Sequence, residues 1–218
     1  MASPDLDRTA LIVVDVQRAF DDAAYWGPRN NPRCEVNIAA LIAAWREAKR
    51  PVVFVRHDSV EARSPLRPGT PGNAFKDVIQ GAPDLLVAKT VNSAFIGKPD
   101  LDGWLRERGI GSIAVCGITT NHCCETTARM GANLGYRVLF ALDATHTFDR
   151  RALDGDAIPA EQLARVTGAN LQGEFASVVT TAALLEDQAS LSTLPATRAS
   201  ASAAASTTST EAAKDRRR

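Results

Sequence analysis

Six short runs of aliphatic and β-branched residues are the feature that most limits the folds open to this chain of 218 residues. Each run is apolar at nearly every position, which is typical of strands covered on both faces. The runs lie at residues 10–16, 51–57, 84–89, 112–117, 137–144 and 174–181. Helical stretches separate them at residues 36–49, 101–108, 121–134 and 160–171, and several of these stop at glycine or proline. Repeated strand and helix units predict an α/β protein, a single-domain, Rossmann-like three-layer sandwich with a mostly parallel six-stranded sheet.

Changes in composition suggest where that domain begins and ends. We divide the chain into an N-terminal segment of residues 1–8, one domain of residues 9–189 and a tail of residues 190–218. The tail is rich in Ala and Ser and short of bulky apolar side chains, so we expect it to be disordered. Residues 58–76 are rich in Pro and Gly and too long for an ordinary connection, which predicts a lid or an arm that reaches a neighbouring subunit.

Charge and hydropathy exclude several kinds of partner. Lys and Arg together number 25, as do Asp and Glu, so no overall field attracts nucleic acid or an anionic membrane. No apolar run approaches the roughly 20 residues needed to span a bilayer. The first residues lack the pattern of a signal peptide, and four cysteines are too few for a disulfide framework in a chain of this length. We therefore expect a cytoplasmic protein with reduced thiols, whose partner is a small molecule.

Three kinds of reactive side chain follow the predicted strands directly. Asp15 ends the first strand, Lys89 ends the third, and Cys123 and Cys124 come shortly after the fourth. Ligands of open parallel sheets bind at the carboxyl ends of the strands, where these groups should meet. A thiol near the start of a helix is expected to have a lowered pKa. The same residues are also compatible with a structural ion pair and two small core cysteines.

The segments around these residues carry a family resemblance. ALIVVDVQRAF, LLVAKTVNSAF and VCGITTNHCCETTARMGANLGYRV, with DATHTF after it, resemble the isochorismatase-like cysteine hydrolase family over residues 9–185. The resemblance implies a catalytic triad of Asp15, Lys89 and Cys123, the cysteine of a G-x-x-T-x-x-C motif. Cys124 then takes a position that is usually aliphatic, and a stripe of small residues at helical spacing, Cys124, Ala128, Gly131 and Gly135, is compatible with a place in the core.

The resemblance also implies the surroundings of the triad. Backbone N–H groups of Thr119 and Cys123 would hold an oxyanion, with a cis peptide between Ile118 and Thr119. Phe20 matches a position whose ring lines the substrate pocket. Gln17 lies in the same DVQ stretch, where either contact with substrate or a purely structural role fits.

A metal or other cofactor is not expected. The three histidines, His57, His122 and His146, are scattered, and the sequence offers no zinc-like spacing. His57 is compatible with contact to the substrate or to Asp58, or with a place on the surface.

The resemblance implies a metal-independent amidohydrolase that cleaves a C–N bond of a small amide, a ureido or carbamoyl compound, or a lactam, through a thioester. Members of the family generally associate, so we expect a homo-oligomer, either a dimer or a tetramer. Two alternatives stay open, a vinyl ether hydrolase of the isochorismatase type and a catalytically idle binding subunit of the same fold.

Overall fold

A sheet of six parallel strands forms the centre of the protein, in the order β3-β2-β1-β4-β5-β8. The computed structural model describes Leu6 and residues 8–192, with side chains as far as Glu186. The sheet strands are β1 (Thr9–Val14), β2 (Val52–His57), β3 (Leu85–Lys89), β4 (Ser112–Ile118), β5 (Arg137–His146) and β8 (Ser177–Val179). Each of the six apolar runs thus overlaps a strand, and the predicted fold class is confirmed.

Helices cover both faces of this sheet. They are α1 (Ala23–Trp26), α2 (Cys34–Glu47), α3 (Leu101–Glu107), α4 (Glu125–Asn133), α5 (Ala160–Leu171) and α6 (Thr181–Ser192). Alternate residues of β1 point to opposite faces, as the period of a strand requires. Leu11 and Val13 pack in the same core as side chains of α2 and α6, whereas Ile12 belongs to a second core with side chains of α3, α4 and α5. The result is the predicted three-layer arrangement.

Several elements were not predicted. Two very short strands, β6 (Arg150–Arg151) and β7 (Ala157–Ile158), form a separate antiparallel ribbon after β5. A π-helical turn at Thr120–Cys124 precedes α4. The last helix, α6, continues to Ser192, past the predicted end of the domain at residue 189. The rest of the predicted tail, residues 193–218, lies outside the described residues, as do residues 1–5 and 7.

Gly117 allows β4 to approach β1 closely. Its φ angle is +129°, in the region that favours glycine, and a Cβ placed there would overlap the carbonyl oxygen of Val14. Because Val14 immediately precedes Asp15, this close approach fixes the distance between the ends of the two strands that carry site residues. A side chain at position 117 would push those ends apart.

Residues 58–76 fold back over the carboxyl edge of their own sheet. Leu66 and Asn73 are buried, and the amide of Asn73 donates to the carbonyl oxygens of His57 and Leu66 at 3.1 and 2.8 Å. Within this chain, the segment covers the strand ends. Among the described helices, none has the length and apolar character to cross a membrane.

Candidate active site

Asp15 lies at the carboxyl end of the central strand β1, in a tight turn. Its φ angle is +51°, a left-handed conformation that Asp adopts more readily than most residues. Its N–H donates to the carbonyl oxygen of Val55 at 2.9 Å, and the side chain is completely buried. Oδ2 accepts a hydrogen bond from Lys89, whereas Oδ1 is buried with no hydrogen-bond partner among the described residues. A buried carboxylate oxygen without a partner is a strong acceptor for a nearby proton.

Lys89 holds this carboxylate from the end of β3. Its Nζ is 2.6 Å from Asp15 Oδ2 and 3.1 Å from Nδ1 of His57, which is its register partner on β2. The side chain is buried. Burial alone would lower the pKa of Lys89, but the charge of Asp15 and the contact with Cys123 outweigh it, and the pKa is raised. Lys89 therefore stays charged.

His57 is neutral because of its burial and because of this neighbour. A lysine ammonium has only donors, so Nδ1 of His57 must accept and its ring proton lies on Nε2. Burial and then the charge of Lys89 lower the pKa of His57. The histidine thus fixes the position of the ammonium without adding a second positive charge.

Cys123 completes the group from the π-helical turn after β4. The nearest ligand atoms of Asp15, His57 and Cys123 lie within 4.8 Å of one another. Cys123 Sγ is 3.6 Å from Oδ1 of Asn92, to which the thiol donates. Asn92 follows β3 in the VNSAF segment, and no pattern in the sequence singles it out.

The expected lowering of the thiol pKa is wrong for the free protein. Burial, and then the charge of Asp15, raise the pKa of Cys123 to about 12, although Lys89 opposes the shift. The start of the helix does not outweigh the loss of water around a buried sulfur. The proton therefore resides on the Cys123 sulfur, which lies within 4.8 Å of a carboxylate oxygen of Asp15.

Cys124 occupies a different environment. Its side chain is completely buried in the core that contains Ala128, and burial raises its pKa well above the ordinary value. It does not line the cavity that contains Cys123. Of the two adjacent cysteines, Cys123 is the one that faces the strand ends.

The cavity above the group has a volume of about 240 Å³. Asp15, His57, Thr119 and Cys123 form its base, and the peptide bond between Ile118 and Thr119 is cis. Four residues of the 58–76 segment lie along one side, namely Ser59, Glu61, Ser64 and Leu66. A larger groove of about 880 Å³ next to α5 has neither a thiol nor a histidine among its lining residues.

Aromatic rings form another side of the cavity. Phe20 lines it and packs against Trp26 with ring centroids 4.9 Å apart and the rings tilted by 37°, and Trp26 stacks in turn on Phe148. Phe20 thus lines the same cavity as Cys123, and its contact with a substrate stays a prediction. The wall can accommodate the apolar part of a small ligand.

Gln17 does not lie where it could contact a substrate in the cavity. It is completely buried and does not line the cavity. Its amide donates to the carbonyl oxygens of His57 and Asn73 at 3.0 and 2.8 Å, and its Oε1 accepts from the N–H of His57 at 2.8 Å. These bonds use both amide hydrogens, so Gln17 ties β2 to the 58–76 segment. The structural interpretation of the DVQ stretch is the one that fits.

The same group could be considered as a metal site, since Asp15, His57 and Cys123 all offer ligand atoms at short range. The donors fit a divalent cation poorly. Lys89 already donates to both the carboxylate and the imidazole, so a metal ion would face the ammonium directly. The other two histidines do not help, because His146 is buried away from the cavity and His122 is exposed at its edge.

The fold and the site define a class of protein, an α/β protein with a thiol, a carboxylate and an ammonium at the carboxyl edge of a parallel sheet. The isochorismatase domain model matches residues 9–183. The isochorismatase family protein YrdC of Bacillus subtilis (strain 168) is 37% identical over 182 residues, which are 83% of this chain and 96% of YrdC. This chain belongs to the isochorismatase family.

Relatives with named activities place the chain among hydrolases. Nicotinamidase 3 of Arabidopsis thaliana is 34% identical over 81% of this chain and 86% of its own length. Ureidoacrylate amidohydrolase RutB of Methylorubrum extorquens (strain AM1) is also 34% identical, over 71% of this chain and 76% of its own length. These relatives act on carbon–nitrogen bonds, and the chain is a hydrolase.

Solved structures agree with this assignment. A hydrolase of the isochorismatase family from Chromobacterium violaceum superposes with a TM-score of 0.81 at 38% identity, covering 87% of this chain and 97% of its own. A cysteine hydrolase from Pseudomonas syringae pv. phaseolicola has a TM-score of 0.76 at 30% identity, covering 87% of this chain and 96% of its own.

Proposed function

We propose that this protein is a cysteine-dependent amidohydrolase that cleaves a carbon–nitrogen bond of a small amide, a ureido or carbamoyl compound, or a lactam. Asp15, Lys89 and Cys123 are the proposed catalytic residues. The observation that carries the proposal is a buried Asp15 carboxylate within 4.8 Å of a protonated Cys123 thiol, with Oδ2 held by Lys89 and Oδ1 without a hydrogen bond to any described residue. The relatives named as an amidohydrolase and a cysteine hydrolase support the same chemistry.

The first step is proton transfer coupled to attack. Asp15 Oδ1 takes the proton from Cys123 as the sulfur forms a bond to the substrate carbonyl carbon. Because the thiol pKa is raised, this transfer happens only when a substrate carbonyl is present to accept the electron pair. Lys89 keeps Asp15 in position and stabilises the negative charge as it moves from oxygen to sulfur.

The tetrahedral intermediate carries a negative oxygen. We assign its stabilisation to the backbone N–H groups of Thr119 and Cys123, two residues that line the base of the cavity. When the intermediate collapses, the carbon–nitrogen bond breaks and the nitrogen takes the proton from Asp15.

Water completes the cycle. Asp15 removes a proton from the water that attacks the thioester, and the acid product leaves as the carbon–sulfur bond breaks. The proton on Asp15 then returns to Cys123. The residues balance each proton without a metal ion, and we propose that the reaction needs none.

The experiment is a panel of small linear amides, ureido and carbamoyl compounds and lactams, with release of ammonia or amine as the measurement. We expect hydrolysis of at least one compound, and a loss of about four orders of magnitude or more in Cys123→Ala. Full activity after addition and removal of EDTA is expected as well.

Cys124→Ala is the matched control, because the same atom is deleted one residue away in the core. It should change thermal stability while kcat/KM stays within about threefold of wild type. Wild-type activity in Cys123→Ala would refute the proposal. Cleavage of a vinyl ether by Cys123→Ala would instead indicate the isochorismatase-type alternative.

A further inference from the structure

The end of β2 is held by a side chain on the side where β1 no longer runs beside it. The last pair between β1 and β2 joins Val14 to Val55, and the chain then turns at Asp15. His57 lies two residues beyond that pair. There, the Gln17 amide donates to the carbonyl oxygen of His57 at 3.0 Å and accepts from its N–H at 2.8 Å. A primary amide has the same kinds of donor and acceptor as a peptide group, so Gln17 takes the place of a strand residue.

A second amide attaches the 58–76 segment to the same strand end. Asn73 is buried, and its Nδ2 donates to the carbonyl oxygen of His57 at 3.1 Å and to Oδ1 of Asp58 at 3.0 Å. Gln17 also donates to the carbonyl oxygen of Asn73 at 2.8 Å. Moving the segment away would break bonds of both amides at once, and buried amides without partners are costly. The segment and the end of β2 therefore form one hydrogen-bonded unit.

The backbone held in this way belongs to the residue whose ring contacts the Lys89 ammonium. Nδ1 of His57 is 3.1 Å from Nζ of Lys89, and among the described residues the ring has no other hydrogen-bond partner. A lysine has a flexible stem and a compact ammonium, so its acceptors determine where the charge lies. Here the acceptors include Oδ2 of Asp15, at 2.6 Å, and the imidazole. Without the imidazole, the ammonium could move about the carboxylate while keeping its ion pair.

We infer that closure of the 58–76 segment positions the ammonium of Lys89. Gln17 and Asn73 are the positioning residues, and they act through the ring of His57. The catalytic role of Lys89 rests on the proposed function, and the link to the segment goes beyond it. When the segment is displaced, the imidazole moves with its backbone and the ammonium loses that contact. The charges of the site are then fully arranged only while the cavity is covered, as in enzymes whose closure completes the catalytic group.

The histidine rings report this coupling without any turnover. The chain has three histidines, so long-range proton–nitrogen NMR spectra of isotope-labelled full-length protein can separate their rings, and His57→Gln identifies the signals of His57. In the wild type we expect the Nε2–H tautomer and a pKa below the ordinary value, because of burial and then of the Lys89 charge. Lys89→Met should raise this pKa by about one unit or more, since a like charge is removed.

Gln17→Ala and Asn73→Ala break the coupling from its two sides. Each should raise the pKa of His57 by about half a unit or more when Lys89 is present, and by less than half of that amount in the Lys89→Met background. A segment that merely became looser would admit water and raise the pKa equally in both backgrounds. Asn73→Ala carries the same test if Gln17→Ala does not fold.

Thr70→Val is the matched control within the segment. The Thr70 hydroxyl donates to carbonyl oxygens of the same segment, those of Pro65 and Arg67, at 2.7 Å each. Its loss weakens the segment's own fold without removing a bond to Gln17 or His57. The pKa of His57 should therefore be the same in Thr70→Val as in the wild type.

Activity connects the coupling to catalysis. On the fastest amide of the panel, kcat should fall about tenfold or more in both alanine variants, because the ammonium is no longer held in place. An ordinary pKa for His57 in the wild type, an unchanged His57 in both alanine variants, equal rises with and without Lys89, or an unchanged kcat would overturn the inference. Failure of the proposed hydrolysis is seen separately, because it appears in the wild-type enzyme and leaves the spectra of His57 unaffected.

Discussion

At the scale of single residues, the proton on Cys123 decides how the site works. A lowered pKa was expected from the position of the thiol near a helix start, yet burial raises the pKa to about 12. The apolar strands of the sequence place the carboxylate and the ammonium at strand ends, and the family resemblance implies which sulfur belongs with them. The sequence does not reveal how much water the folded cavity admits, and that amount determines the protonation state. In the proposed mechanism, Asp15 must therefore act as a base in every turnover.

Lys89→Met tests this division of roles. We expect kcat/KM to fall by about two to three orders of magnitude, because the ammonium no longer stabilises the charge moving from Asp15 to Cys123. Lys89→Arg should recover only part of the activity, since the planar guanidinium group of arginine does not replace the compact ammonium of lysine. Wild-type activity in Lys89→Met would show that the charge of Lys89 has a structural role and no role in catalysis.

The pH profile of the same enzymes gives an independent check. Wild-type activity should fall at high pH as Lys89 loses its proton. Because the pKa of Lys89 is raised, the fall should lie above the ordinary lysine value of about 10.4, and it should be missing in Lys89→Met. Because Lys89 interacts closely with Asp15 and Cys123, the pH at which activity falls is a property of the coupled site and not of Lys89 alone. A fall near neutral pH in the wild type would contradict the assignment.

At the scale of elements, strands with a clear apolar pattern were predictable and short irregular ones were not. The run at residues 112–117 predicts β4, since buried parallel strands are apolar on both faces. The ribbon of β6 and β7 has two residues in each strand, which is too short for an alternation of apolar and polar residues to be detected. The π-helical turn at Thr120–Cys124 was not predicted for a related reason. One extra residue in a single turn does not change the pattern of apolar positions enough to be detected. The residue on that ribbon that lines the cavity, Arg150, was missed with it.

The end of β5 contains a buried histidine that should make stability depend on pH. His146 is completely buried, with Arg29, Glu35 and Lys76 around it, and neither ring nitrogen has a hydrogen-bond partner among the described residues. Burial, and then the charge of Arg29, lower its pKa to about 3. The unfolded chain, with a histidine pKa of about 6.5, binds a proton first as pH falls. The folded state therefore loses stability between about pH 6.5 and about pH 3.

This contribution amounts to about 2 kcal/mol between pH 7 and pH 5. Urea unfolding of wild type and His146→Leu at these two pH values measures it. The free energy of unfolding should fall by about 2 kcal/mol more in the wild type than in the variant. An equal fall in both proteins would show that His146 does not titrate as described.

At the scale of the whole molecule, the position of residues 58–76 could not be derived from sequence. The segment was expected to be a lid or an arm to another subunit, and in the described chain it covers its own site and lines the cavity with Ser59, Glu61, Ser64 and Leu66. Its contacts depend on long-range pairs such as Gln17 with Asn73, which no local pattern encodes. That the protein forms a dimer or a tetramer stays a prediction, and light scattering at micromolar concentration would decide it.

The thioester at Cys123 is the central intermediate of the proposed mechanism, and mass spectrometry after rapid acid quenching measures it directly. Wild-type enzyme would be quenched during turnover of the fastest substrate in the amide panel and then digested into peptides. We predict an increase equal to the acyl group of that substrate on the peptide that contains Cys123 and Cys124, retained in Cys124→Ala and absent in Cys123→Ala. Turnover by Cys123→Ala, or an acyl group that depends on Cys124 instead, would contradict the account.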